Sequence, residues 1–528
     1  MTEDSIPPGR VARTAEGMSI IEEATFHCRR LFSFCRLPST LDTGERLAFG
    51  LVLVAAAVLR LYGLFTWLLA NVNEVSALNQ ADLPFLSGAG PQTNFLLTTV
   101  LLKSVGALLA FPYLRLLTAF TNLFAIYVVY RALRPITPRG VALWVVILLT
   151  FSWKVIYNSR LFDCESFGPS VACFFLACTA RWVRQPRQWG WLAGAGFLLG
   201  LHLNNHVLPC FYTMLLFGAF LLTRCHKKEL HFLPVGLVIA AMVIGTIPYV
   251  YTTLTFSHFN PAPGLSTKTL LLVPTLPWAI NVRHPVDFLM ILTEYLTGYP
   301  LPSNSPLLGF VPISVLVVLV CLLGKPRDSL KSYLAWMTLG SLVLIGLSPF
   351  QTNSEGDLHF FWPHFLLLLC LLCSEEIQVS RIVLGAVAVS ILVLNLRWLP
   401  YLVQDQVAEV GAVLDAHLEP GERIYVSDGA MLKLEWTSVY SRLEAHPVTN
   451  FLCQGPEAFK PFVDSVPEHR ALVLQTSDVP WPPPPWTNQV EAVLLLAQEQ
   501  LMEAREAHGL RIYEIQPRKW RLSPPGRP

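Results

Sequence analysis

The chain has 528 residues, a net charge of +2, 53% hydrophobic residues and only 14% charged ones. About a quarter of an ordinary soluble domain is charged, so this composition excludes a soluble globular protein. The near-zero net charge says little, because the distribution of charge along the chain carries the information.

Residues 1–45 are polar and carry Arg29, Arg30 and Arg36, with Arg46 just beyond. They read as a cytoplasmic N-terminal segment, with no cleavable signal peptide visible. Apolar stretches of about 20 residues, the length of a transmembrane helix, then recur. They predict spans at 46–66, 113–131, 140–157, 165–183, 189–204, 207–223, 232–251, 305–323, 332–348, 359–374 and 380–398. That makes about eleven crossings, by hydropathy length alone. Residues 95–111 are also apolar, but a crossing there would invert every later loop. They read as a helix lying along the outer interface, with Lys103 at the surface. Residues 46–402 thus form a transmembrane domain with outer loops at 67–112 and 252–304. In the second loop, HPVDFLMILTEYLTG has helical spacing, with Pro285 early and Gly298 at the stop.

Residues 403–528 read as a soluble extracytoplasmic tail of α/β type. VAEVGAVLDAHL gives an amphipathic helix; PGERIYVSDG, ALVLQT and GLRIYEIQP give short strands. VPWPPPPW is a rigid, extended arm.

The loops between spans sort by charge. One set is short and basic: Arg131, Arg134 and Arg139; Arg181, Arg184 and Arg187; Arg224, Lys227 and Lys228; Lys325, Arg327 and Lys331. Basic loops stay cytoplasmic. Glu375 and Glu376 stand against Arg381 in one further loop, but acidic residues weigh little in this rule. The other set holds Glu74, Asp82, Lys103, Asp163, Glu165, His206, Asp287, Glu294, His359 and His364. It gathers carboxylates, imidazoles and a few cations on the outer side, as a non-cytoplasmic active site requires.

Glu74, just past the first span, is placed to act as a general base or to pair with a cation. The competing reading is a solvated loop acid, or a helix capped through Asn73. Asp163 and Glu165 lie between the third and fourth spans, where they face either a polar cavity or, for Asp163, a salt bridge to Arg160. Cations and histidines suit a phosphate leaving group, although Lys103 and Arg115 are also explained by snorkelling towards headgroups. His202 and His206 are four apart, the spacing of two ligands on one helix face, but no HExxH accompanies them. The sequence gives no support for a divalent metal. Its 11 cysteines lack CxxC spacing and lie mostly in apolar spans, as packing residues do. A P-loop, a GxGxxG after a strand and a GxSxG elbow are all missing, which removes support for nucleotide hydrolysis and serine hydrolysis.

Several segments, in order, resemble the GT-C glycosyltransferases of the protein O-mannosyltransferase and aminoarabinose transferase type. They are Asn73-Glu74, LLK at 101–103, YLRLL at 113–117, YNSRLFDCES, GLHLNNH at 200–206, HFFWPHFLLLL and PGERIYV. Asn73 replaces the usual first acid, and His359 replaces the usual arginine. The resemblance implies a mainly α, polytopic membrane helical bundle of GT-C type with a small C-terminal α/β domain. It implies a polyprenyl-phosphate-linked sugar donor and inverting transfer to a hydroxyl of a lipid, glycan or protein acceptor. On that reading Glu74 is the base and Asp163 a second acidic partner, while Lys103, Arg160 and His359 contact the donor phosphate. Glu165, His206 and His364 are further candidates, membrane lipids are partners, and nucleic acid is not. The bacterial relatives point to an inner membrane.

Two rival classes remain open at this stage. A secondary transporter uses charges at the bilayer midplane and repeated halves, whereas the charges here lie at one face and no repeat is evident. An O-antigen-type ligase or polymerase shares the large outer loop but not the order of motifs.

Overall fold

The computed structural model of the chain describes residues 43–65, 113–162, 166–203, 207–256, 328–346, 358–374, 378–403 and 406–418, five strands between 423 and 515, and residues 292–293, 296–298, 314 and 318. The fold is mainly α. The chain divides into two compact units, residues 1–51 and 52–528. Helix α1 (Thr43–Leu61) runs across that division.

The apolar stretches become helices close to where hydropathy places them. They are α2 (Arg115–Leu133), α3 (Val141–Phe151), α4 (Trp153–Ser159), α5 (Gly168–Arg184), α6 (Trp189–Leu203), α7 (Val207–His226) and α8 (Phe232–Phe256). Further along the chain come α9 (Ser329–Gly346), α10 (Phe361–Cys373) and α11 (Gln378–Leu396). Most of the span expected at 305–323, and the interfacial helix expected at 95–111, lie outside the described residues. Among those residues, α2 alone is long and apolar enough to cross a bilayer, and α3 with α4 passes as a bent pair. Shorter apolar helices include Trp189–Leu203 and Phe361–Cys373.

One difference from the hydropathy reading concerns the site. The span expected as continuous over 140–157 is two helices, bent by 62° at Ser152. No proline or glycine lies between Val141 and Phe167, so the cause is not local and must be sought in tertiary partners.

Local signals start and stop the helices. Gly140, at φ +84°, precedes α3, a conformation that glycine adopts without strain. Pro169 sits in the first turn of α5, where a missing N–H costs nothing. Asp328 caps α9 through the Lys331 N–H at 2.8 Å. The same carboxylate pairs with Arg184 at 2.6 Å, so the end of α5 and the start of α9 meet. Arg224, at the end of α7, pairs with Glu229 at 3.0 Å and lies over the Trp182 ring. The basic turns that the sequence groups together therefore gather at one end of the bundle.

Helices α6 and α8 pack backbone to backbone. A Cβ on Gly196, Gly200 or Gly245 would run into the carbonyl of Val238, Met242 or Phe197 respectively. Gly196 and Gly200 form a GxxxG pair, which lets helices approach this closely. The outward faces are apolar: Phe232 is 82% exposed, Leu233 68% and Ile382 67%, with Phe120, Phe124, Val243 and Val393 each more than half exposed. Apolar area of this extent on helix faces is a surface for another apolar phase.

Helix α12 (Gln406–His417) and strands β1 (Arg423–Val426), β2 (Val448–Asn450), β3 (Ala471–Thr476), β4 (Ala504–Ala507) and β5 (Leu510–Ile515) follow. The strands form one sheet in the order β2-β1-β3-β5-β4. β1 runs parallel to β2 and β3, and β5 antiparallel to β3 and β4. Helix α12, β1, β3 and β5 stand where the pattern of residues places them. β2 and β4 were missed, because three residues of VTN and the AREA tetrapeptide carry no period-2 apolar signal.

Candidate functional site

At the end of the bundle where α1 stops and α4 ends, three arginines are buried. Arg60 and Arg160 are fully covered and Arg115 nearly so. Their anchors come from the last turn of α1 and the segment just after it. Arg160 Nη1 donates to the Leu59 carbonyl at 2.9 Å, and Arg115 Nη1 to the Leu64 carbonyl at 3.3 Å. A helix C-terminus offers free carbonyls and a partial negative charge, so guanidinium groups settle there. Burial, and after it the neighbouring Arg115 and Arg60, lower the Arg160 guanidinium to about 9. It remains charged at neutral pH and keeps a localised positive charge in a dry site.

Arg60 reaches across the bundle. Its Nε donates to Asn122 Oδ1 at 2.6 Å, and Asn122 Nδ2 donates to Ser170 Oγ at 3.2 Å. Its Nη1 donates to the carbonyls of Ala56 and Thr150, each at 3.3 Å, and Nη2 to that of Leu149 at 3.5 Å. One side chain thus joins α1, α2, α3 and, through Asn122, α5. Sequence reasoning passed over Arg60, because an arginine near the end of an apolar span reads as a snorkelling residue. Its position inside the apolar span expected at 46–66, and not beyond it, was the available signal.

The turn after α4 is held by Thr118, whose hydroxyl lies 2.6 Å from the Leu161 carbonyl and 3.2 Å from that of Ser159. On α4 itself, Asn158 Nδ2 meets His359 Nε2 at 3.1 Å. An amide nitrogen only donates, so in this arrangement Nε2 accepts. The other side of the His359 ring lies against Gly168, where a Cβ would collide with Nδ1. His202 is buried at the end of α6, its ring edge-on to Phe360 at 5.6 Å. Lys154 is buried with its ammonium 5.5 Å from the Tyr157 ring centre.

His364 has a different setting. Its Nδ1 donates to the Phe360 carbonyl at 2.6 Å, which leaves Nε2 to accept from the Tyr333 hydroxyl at 3.2 Å. Both ring nitrogens are engaged inside the bundle, between Phe175 and Tyr333. The side chain behaves as a satisfied core histidine, although the sequence reading had grouped it with the outer residues.

The structure therefore brings Arg160 and Arg115 together electrostatically and sets His359 against Asn158 of α4, the helix that ends at Arg160. Glu74, Lys103, Asp163, Glu165 and His206 lie outside the described residues. Cys173, Cys210 and Cys370 are buried free thiols packed in the helices, as expected of cysteines in apolar spans.

No protein-family profile matches the chain, and no curated protein matches it by sequence. Solved structures do. The fold is of GT-C type. One solved structure it resembles is ArnT from Cupriavidus metallidurans in the apo state, at 14% identity and a TM-score of 0.51 over 90% of this chain and 99% of that one. The crystal structure of that ArnT bound to undecaprenyl phosphate gives 13% identity and a TM-score of 0.49 over the same shares. At these identities the likeness is one of fold.

Proposed function

We propose that this chain is an integral membrane glycosyltransferase that moves a sugar from a polyprenyl-phosphate-linked donor to an acceptor hydroxyl on the outer side of a bacterial inner membrane. The observation that carries the reading is the GT-C-type fold along 90% of the chain, with the ordered motifs from Asn73-Glu74 to PGERIYV behind it. The exposed apolar helix faces fit lipid contact, and the gathering of basic turns at one end fits a cytoplasmic face. In this reading about eleven spans occupy residues 46–402, residues 1–45 are cytoplasmic, and residues 403–528 form an outer α/β domain around the five-stranded sheet.

The reaction follows from the groups available. The Glu74 carboxylate takes the proton of the acceptor hydroxyl as its oxygen attacks the anomeric carbon from the side opposite the phosphate. The new C–O bond forms as the bond to the phosphate oxygen breaks, and the electron pair leaves with the lipid phosphate. The configuration inverts. Arg160, Lys103 and His359 contact the donor phosphate and stabilise the charge that develops on it, and Asp163 serves as a second acidic partner. Glu165 and His206 are reserve candidates.

The test is transfer of sugar from a synthetic polyprenyl-phosphate donor by the purified full chain in nanodiscs. Turnover with inversion at the anomeric carbon supports the reading. Failure with a panel of polyprenyl-phosphate sugars, by protein shown to be folded, overturns it.

A further inference from the structure

The bend at Ser152 is capped on both sides by side chains from distant helices. In an unbroken helix the Trp153 N–H bonds to the Leu149 carbonyl and the Lys154 N–H to the Thr150 carbonyl. Here the Trp153 N–H donates to Asn395 Oδ1 at 2.7 Å. The Leu149 and Thr150 carbonyls accept instead from the two terminal nitrogens of Arg60. Unsatisfied backbone groups inside an apolar bundle are costly, so the bend persists only while these partners hold it. The Ser152 hydroxyl is not the cause, since it is buried without a partner among the described residues.

Asn395 is itself fully committed. Its Nδ2 donates to the Ile391 carbonyl of its own helix and to the Leu296 carbonyl of the second outer loop, both at 2.8 Å. Trp398 adds a bond from its indole nitrogen to the Thr297 carbonyl at 3.0 Å and packs against Trp153, ring centres 6.4 Å apart. Gly298, at φ +95°, fits between these two indoles, where a Cβ would collide with both. One asparagine thus ties three pieces of chain: α11, the outer loop and the first residue of α4.

What the bend does follows from what α4 carries. It is seven residues long, holds Asn158 against His359, and ends at Arg160. We propose that Arg60 and Asn395 are a positioning pair: they hold the broken helix α4 at its 62° bend and thereby fix Asn158 and Arg160 relative to His359 and residues 296–298. This rests on the glycosyltransferase reading only for what Asn158 and Arg160 are positioned to do. In this role both act through α4, by the bonds to Leu149, Thr150 and Trp153, and not on substrate. The bend is a tertiary device, because an ordinary apolar sequence, LLTFSWKVI, is broken by donors and acceptors supplied from elsewhere.

The experiment uses the full chain in nanodiscs, with Arg60→Met, Arg60→Lys, Asn395→Leu and Asn395→Asp. Hydrogen exchange is followed peptide by peptide, beside the donor KM and kcat. Arg60→Met and Asn395→Leu should speed exchange in residues 149–160 while α5 and α10 keep wild-type protection. They should lower kcat about 100-fold, as misplacement by an ångström does. Arg60→Lys keeps a cationic donor and should restore most of both readouts; Asn395→Asp keeps the acceptor for Trp153 and should protect α4 better than Asn395→Leu. Wild-type exchange in 149–160 in folded variants overturns the proposal. So does a rise spread evenly over all helices, in either the severe or the mild variants. Should the wild type transfer no sugar, the exchange arm still decides on the bend, and the failure belongs to the proposed function alone.

Discussion

Asn158 and His359 meet at 3.1 Å across 201 positions of chain, an amide on α4 holding an imidazole that stands just before α10. The contact works only because Gly168, at the start of α5, leaves room for the ring. Gly168→Ala should therefore displace His359 and cut transfer, with a stability loss of about 1–3 kcal/mol from overpacking. His359→Ala should be impaired too, and the double variant should be no worse than the worse single one. A double-mutant cycle on activity and melting temperature reads the coupling; strict additivity would separate the two residues.

Glu74 is the proposed base. Glu74→Gln keeps size and polarity and should lower turnover about 10²–10⁴-fold, with donor binding largely retained. Asp163→Asn should impair transfer as well. Near-normal turnover of Glu74→Gln at equal folded amounts would move the base to Asp163 or Glu165.

Arg160 is expected to act on the donor phosphate. A hydrogen bond to a charged group contributes about 1.5–3 kcal/mol, so Arg160→Gln should weaken donor binding about 10–100-fold. The guanidinium stays charged to about pH 9, so donor affinity should be flat from pH 6 to 8 and decline above that, as the proton is lost. Binding of a fluorescent polyprenyl-phosphate analogue against pH measures both. A fall in affinity centred near neutrality would assign the effect to another group.

His364 should tolerate loss of its chemistry but not of its place. Both its nitrogens have internal partners, so His364→Phe should melt earlier by about 1–3 kcal/mol of stability, the cost of orphaning a buried partner. Its transfer rate per folded molecule should stay close to wild type. A large loss of rate with unchanged melting would return it to the reaction.

Topology is testable directly. Reporter fusions after residues 135, 185 and 327 should lie in the cytoplasm, and fusions after 90, 280 and 450 on the other side. A cytoplasmic signal at 450 would remove the outer placement of the sheet.

Much of the helical layout was legible in the sequence by itself. Runs such as VALWVVILLTF and FWPHFLLLLCLLC have too little polarity to be anything but buried or lipid-facing helix. The basic residues clustered at their ends marked the turns that now meet through Arg184, Asp328 and Arg224. The strands of ALVLQT and LRIYEI were legible because alternation is a local property. What the chain does locally is decided within a few residues, so a linear reading recovers it.

The tertiary structure decided the rest. Nothing within LLTFSWKVI tells of a 62° bend, because the groups that make it, Arg60 and Asn395, lie about 90 residues before it and 242 residues after it. The Tyr333 hydroxyl and the Phe360 carbonyl occupy the ring of His364, and neither partner is legible in the sequence around it. The order of the sheet, with β1 between β2 and β3 and β4 at an edge, follows from pairings between segments whose own patterns are silent about their neighbours. Hydropathy and charge act along the chain and determine where helices form; hydrogen-bond partners are chosen in three dimensions, so only the folded bundle decides which buried polar group is held and which is left to react.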